Sequence, residues 1–474
     1  LYILINQIIM KLKHNLFKLL MICAGIPALI IPTSCNKYVE LQPPLNKINA
    51  SDAYTTDGTA TAAVIALYNY GIFGSFTTLQ QSMALFNGVS SDELHYTLTN
   101  STNITEMENN AISIGNGANA NLWAYAYAQL LEANDAVQGI TVSTTLTPTV
   151  KSQLLGEAKF FRAFVNFYLV NLYGGEPLVV SDPLTNAFLP RSTPAQVYSA
   201  IVSDLKDAQA ALPTTYVGTL RSRVNQYAAT ALLARVYLYQ KDYVDAEAMA
   251  TMVINAGVYT LAATNSVFIN TSNETILQFA TYYGYSAFAT SYRTATSATN
   301  IVPPTYVLTS NIANSFEAGD NRKTNWVDST ISGTKFYRIN KYKIYTAATA
   351  GAGNEFNVVL RLAEQYLIRA EARAQQGNVV GAAADINMIR TRAGLGATTA
   401  ATQSTLLTAV AQERKVELFG EYGHRWFDLL RTGQANAVLS VMKPTTWNAT
   451  RSVLFPIPDA QRQLNTALTQ NSGY

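Results

Sequence analysis

Apolar residues recur along much of this chain at three- and four-residue spacings, the period of a helix with one buried face. After Thr193-Pro194, a hydroxyl cap with proline in the first turn, come Val197, Ile201, Leu205, Ala208 and Leu212. Their intervals are four, four, three and four, and Pro213 closes the run. The pattern over 157–173 predicts a second helix, with Phe160, Phe161, Phe164, Phe167 and Tyr168 on one face and Gly174-Gly175 as its stop. The fold is therefore expected to be mainly α.

Two stretches share a layout. Residues 234–246 and 370–382 each carry small residues on a helix end, a short polar turn, and an alanine early in the next helix. Small residues at facing positions let antiparallel helices approach closely, as in tetratricopeptide-type hairpins. The copies are 136 positions apart, so scattered hairpins with insertions are expected rather than a uniform array. Unrelated helix pairs of an ordinary bundle remain the alternative.

Between the copies the texture changes. Residues 256–356 are rich in Thr, Asn, Ser and Tyr, contain Pro303-Pro304, and hold 16 of the chain's 50 aromatics. Residues 74–120 form a second polar stretch, expected to be irregular. Loops carried on a rigid scaffold are where binding tends to sit, so these stretches are expected to form a less regular binding half.

The N-terminus has a different pattern again. Lys11, Lys13 and Lys18 precede an apolar run from Leu19 to Pro32, and Thr33-Ser34 lead to Cys35. That is the order of a secretory signal, and a cysteine at the cut site is the mark of a lipoprotein signal. The run is shorter than the roughly twenty apolar residues of a membrane-spanning helix, and two prolines interrupt it. Residues 1–34 are read as signal peptide, with 1–9 as an over-extended start before Met10-Lys11. Residues 35–474 are read as one domain, anchored by lipid on Cys35.

Composition narrows the chemistry. The three lysines account for the whole formal charge of +3; 33 basic residues less these three leave 30 against 30 acidic. A net-neutral body implies no electrostatic capture of nucleic acid. Beyond residue 35 the chain has two histidines, His95 and His424, and no cysteine. Cys/His metal clusters and a cysteine nucleophile are therefore unavailable, and no convincing phosphate loop precedes a helix. Neither a metal nor a cofactor is expected.

Several motifs in order resemble the SusD/RagB family of outer-membrane nutrient-binding lipoproteins. They are Ser34-Cys35 with Glu40-Leu41-Gln42-Pro43-Pro44 and Asp52-Ala53-Tyr54; Gly156-Glu157-Ala158-Lys159-Phe160-Phe161-Arg162-Ala163 through Tyr173-Gly174-Gly175-Glu176-Pro177; Glu413-Arg414-Lys415-Val416-Glu417-Leu418 with Gly423-His424-Arg425-Trp426-Phe427-Asp428; and Phe455-Pro456-Ile457-Pro458 to the C-terminus. The resemblance implies four tetratricopeptide-like helix pairs and an outward-facing lid on a SusC-like TonB-dependent transporter, capturing nutrients, usually glycans.

A pyranose packs its C–H faces on aromatic rings while amides, carboxylates and guanidiniums satisfy its hydroxyls. Residues of both kinds cluster at Asp92 and His95-Tyr96, at Tyr282-Tyr283-Gly284-Tyr285 with Tyr292-Arg293, and at Asn321-Arg322 with Asn325-Trp326. Ligand contact is expected from Asp92, Tyr96, Tyr283, Tyr285, Arg293, Asn325 and Trp326, with no catalytic residue. Two competing readings stay open. If the aromatics of 256–356 are all buried, a tetratricopeptide-like adaptor lipoprotein gains. If Asp92-Glu93 supply half of a carboxylate pair, the protein is a surface glycosidase. Around His424, Glu417, Glu421 and Arg425 are spaced to share one helix face and are expected to fix packing.

Overall fold

Thr193 does what its sequence position suggests. Its side chain accepts from the Gln196 backbone, and Gln196 returns the bond to the Thr193 N–H, so both cap the helix Pro194–Ala211. The structure is a computed structural model, and it describes residues 52–69, 79–180, 188–281, 284–292, 304–332, 334–345 and 353–474. Cys35 and the rest of the signal lie outside the described residues. So do Tyr283 and Arg293.

The described chain begins with α1 (Asp57–Asn69), α2 (Leu79–Ser90), β1 (Leu94–Tyr96), α3 (Thr102–Glu108), α4 (Gly117–Val142) and α5 (Pro148–Tyr173). It continues through α6 (Pro194–Ala211), α7 (Gln226–Gln240) and α8 (Tyr243–Asn255). A strand-bearing stretch follows: β2 (Thr275–Phe279), α9 (Ala287–Tyr292), β3 (Tyr306–Leu308), α10 (Ser310–Ala313), α11 (Asn321–Trp326), β4 (Val327–Ser332), β5 (Thr334–Ile339) and β6 (Asn357–Arg361). Helices then resume as α12 (Leu362–Gln375), α13 (Val379–Arg392), α14 (Gln403–Glu417), α15 (His424–Arg431), α16 (Ala435–Met442) and α17 (Asp459–Leu464).

Helices α4 to α8 pack each on the next, α8 then packs on α12, and α12 on α13 and α14. The stack of paired helices is thus continuous in space although the strand-bearing stretch leaves it after α8 and rejoins it at α12. The two similar stretches form the same turn. Lys241 and Gly377 both adopt left-handed backbone, φ 63° and 79°. Each of them, and the residue after it, donates back to the helix end: Lys241 to Leu238 and Asp242 to Tyr237, Gly377 to Ala374 and Asn378 to Arg373. Asp242 and Asn378 then cap α8 and α13 in turn.

Helix α5 is the spine of the core. Phe160, Phe161, Phe164, Phe167 and Tyr168 are all buried. Its polar residues are anchors: Glu157 takes two bonds from Arg223 at 2.7 Å each, and Arg162 gives two to Asp204 at 2.7 Å each. Gly174 ends the helix at φ 73°, and a side chain on Gly175 would stand 2.5 Å from the Ser192 carbonyl, across the Glu176–Ser192 bridge.

The stretch 74–120, expected to be irregular, holds α2, α3 and the start of α4 among its described residues. Its polar residues cap and crosslink those helices: Asn116 caps α4 and bonds Glu106, and Asn110 reaches the Ser90 carbonyl. Polarity there reflects helix ends rather than loop. Two small sheets complete the unit, a four-stranded one in the order β1-β3-β5-β4 and the pair β2-β6. Through Leu94 opposite Leu308 and Tyr96 opposite Tyr306, β1 joins the early chain to the insertion. No helix among the described residues is long and apolar enough to cross a membrane.

Candidate functional site

The sheet of four strands and the segments after β5 bring together the aromatics that the scaffold leaves over. Tyr96 on β1 packs its ring 5.6 Å from that of Tyr306 on β3, and its hydroxyl donates to Asn100 at 2.6 Å. Next to it, exposed His95 bonds Glu108 at 2.6 Å, which raises the imidazole's pKa. Helix α9 packs on β3 and carries Tyr292. A small cavity of about 90 Å³ opens there, lined by Tyr292, Arg338, Asn340, Tyr342, Lys343 and Tyr345. The Tyr292 hydroxyl is buried and has no hydrogen-bond partner among the described residues. Tyr345, 41% exposed, stands at the rim, with half-buried Tyr337 and Tyr285 on neighbouring segments. Rings, an amide and two cations around an unsatisfied hydroxyl make a surface that can stack and hydrogen-bond a polyol.

Four expected contacts are relocated. Trp326 is a core residue, 1% exposed: its indole N–H donates to the Thr264 carbonyl at 2.6 Å, and its ring meets Phe268 edge-on. Lys341 covers it, the ammonium 4.7 Å from the ring centroid, and burial lowers that lysine's pKa to about 8. Asp92 is fully buried and receives both bonds of an Arg425 fork, so it is neither a ligand contact nor a solvated turn. Glu93 beside it is buried too and accepts from the Gly420 N–H at 2.9 Å. A carboxylate pair working on a surface glycan is not present at these positions. Asn325 is half-buried and spends its amide on Thr264 and Asn321. Tyr96 is 7% exposed, so its ring supports the sheet and presents at most an edge.

The charged C-terminal run is structural, but not as one helix. Helix α14 ends at Glu417, and a turn through Gly420 and Gly423, both with positive φ, separates it from α15. Glu417, Glu421 and Arg425 therefore do not share a helix face. Glu417 accepts from Arg361, Arg322 and Arg392, and Glu421 from Arg361 and Lys341. Burial alone would raise the Glu417 carboxyl, but the Arg392, Arg361 and Arg322 guanidiniums hold it well below the usual range. Because Arg322 and Lys341 come from the insertion and Glu413 and Glu417 from α14, this network pins the strand-bearing half to the helical scaffold. His424 is buried, and burial pushes its imidazole well below the ordinary value, leaving it neutral.

The segment 337–345 was legible by the same signal that singles out 282–285. Tyr337-Arg338-Ile339-Asn340-Lys341-Tyr342-Lys343-Ile344-Tyr345 interleaves aromatics with cations and an amide.

Two family models match the chain in succession. One, described as starch-binding and associating with the outer membrane, covers residues 59–238; the other, of the SusD family, covers 269–474. SusD-like protein P2 of Formosa agariphila is 27% identical over 424 residues, 78% of this chain and 83% of the relative. A solved SusD superfamily protein from Bacteroides vulgatus aligns with a TM-score of 0.77 at 20% identity, covering 88% of this chain and 99% of its own. A laminarin-binding SusD-like protein aligns with a TM-score of 0.72 at 25% identity, covering 89% and 100%.

Proposed function

The chain belongs to the SusD/RagB family, and from that premise we propose that its strand-bearing half receives the glycan, on the side facing out of the cell. The protein is a non-catalytic glycan-binding lipoprotein of the outer membrane that partners a SusC-type TonB-dependent transporter. The observation that supports the placement is the cavity beneath Tyr345. A half-exposed ring there adjoins Asn340, Lys343 and the Tyr292 hydroxyl, which has no partner among the described residues, in the strand-bearing half of the fold. Glucan is the first ligand to test, since a relative at 25% identity binds laminarin.

The experiment is calorimetric titration of the purified protein with laminarihexaose beside an array of other glycans, together with protease accessibility on intact cells. Binding of a glycan, lost when the Tyr345 rim is altered, together with cleavage of the exposed chain from outside, supports the reading. Glycan binding that ignores the rim, or protection of the chain in intact cells, removes it.

A further inference from the structure

A larger cavity lies elsewhere, in the scaffold. It measures about 660 Å³, within the roughly 300–1,000 Å³ of small-ligand sites, and opens between α12, α14 and α15 beside the α7–α8 turn. None of its lining residues comes from the insertion.

We propose that this cleft is a second ligand site and takes a short acidic oligosaccharide, whose carboxylate sits on Arg414. The argument begins with charge. The lining holds four cations, Lys241, Arg414, Arg425 and Arg431, against two carboxylates, Glu371 and Asp428. Arg431 forks onto Glu371 at 2.5 and 2.7 Å and also reaches Asp428. Arg425 is neutralised by Asp92 behind the cleft.

Arg414 is different. Its Nε donates to Asp428 at 2.7 Å, but Nη1 and Nη2 have no acceptor among the described residues, although the side chain is only 1% exposed. A buried guanidinium with its outer edge unsatisfied is costly, and a planar carboxylate accepts two parallel N–H bonds from that edge. The rest of the wall says what carries the carboxylate. Uncharged amides and hydroxyls such as Gln375, Gln403, Thr408 and Thr432 outnumber the apolar residues, and Tyr243 supplies one ring. Uncharged polar side chains beside a single ring suit a sugar acid better than an apolar peptide side chain.

The test is calorimetric titration of the full lipidated chain in detergent with trigalacturonate, with its methyl ester, and with a short acidic peptide bearing a free C-terminus. The acid should bind, and esterification should weaken it about tenfold or more through loss of the charged bidentate pair. Thr408 is exposed on α14 and lines the cleft, so Thr408→Trp should fill it and abolish acid binding with the melting temperature unchanged. Arg414→Gln should weaken the acid without affecting the ester; if that variant does not fold, Thr408→Trp decides. Tyr345→Ala, outside this cleft, should leave acid binding intact. Equal binding of acid and ester, unchanged binding in Thr408→Trp, or parallel loss in Tyr345→Ala would overturn the site. Preference for the peptide would overturn the sugar.

Discussion

Asp92 and Arg425, 333 positions apart, form a two-pronged ion pair with Oδ1 to Nε at 2.6 Å and Oδ2 to Nη2 at 2.8 Å. The carboxylate is fully buried and the guanidinium nearly so. Removing one partner strands the other, which costs about 3–5 kcal/mol when a charge is left unpaired inside a protein. Asp92→Ala should therefore lower the unfolding free energy by about 3 kcal/mol, at the lower end because Arg425 keeps some solvent. Urea denaturation measures it. A variant as stable as the parent would mean the pair contributes nothing.

Trp326 makes a contrasting prediction to one based on a binding platform. Trp326→Ala should cost about 3–5 kcal/mol of stability through the cavity it leaves. Trp326→Phe should cost less, losing mainly the bond to the Thr264 carbonyl. Glycan affinity, measured at a temperature where the variants stay folded, should not change. Weakened affinity with unchanged stability would return Trp326 to the ligand surface.

Tyr345 should behave in the opposite way. Tyr345→Ala removes a half-exposed ring, worth about 1 kcal/mol in stacking, so glycan affinity should fall about fivefold. Stability should move by no more than about 0.5 kcal/mol, as for surface substitutions. Paired calorimetry and thermal melts read both quantities.

Glu93 gives the pH dependence. Burial raises its carboxyl to about 7, against about 4.3 in an unfolded chain. Between those values the native state keeps a proton that the unfolded chain has released. The group's contribution is full below about 4.3 and is lost as pH rises through about 7. Lys443 runs the other way: burial lowers its ammonium to about 7, so its contribution is present above about 10.4 and is lost as pH falls through about 7. Glu93→Gln should flatten the decline in unfolding free energy between pH 4.5 and 7 and leave the alkaline limb in place. An unchanged acid-side slope would assign that titration to another group.

The scaffold was legible in the sequence because helices announce themselves locally. Thr193-Pro194 and Pro213 bracket α6, Gly174 ends α5, and the turn residues Lys241 and Gly377 recur at matching places in the two hairpins. Caps, stops and apolar periodicity depend on neighbours within a few positions, so one chain suffices to read them. The family resemblance rested on the same local motifs.

The fate of individual polar and aromatic side chains was not legible, because it depends on residues hundreds of positions away. Asp92 looks like a loop carboxylate until Arg425 meets it. Trp326 looks like a sugar platform until Thr264, Phe268 and Lys341 close around it. The polar stretch 74–120 looks like loop until its amides are seen holding helix ends. Local sequence thus determined where this chain is helical and which turns join its hairpins. Only the tertiary structure decided which charges are buried in pairs, which rings reach solvent, and which guanidinium, Arg414, keeps two nitrogens without an acceptor among the described residues, because burial and charge compensation are properties of surfaces brought together from distant parts of the chain.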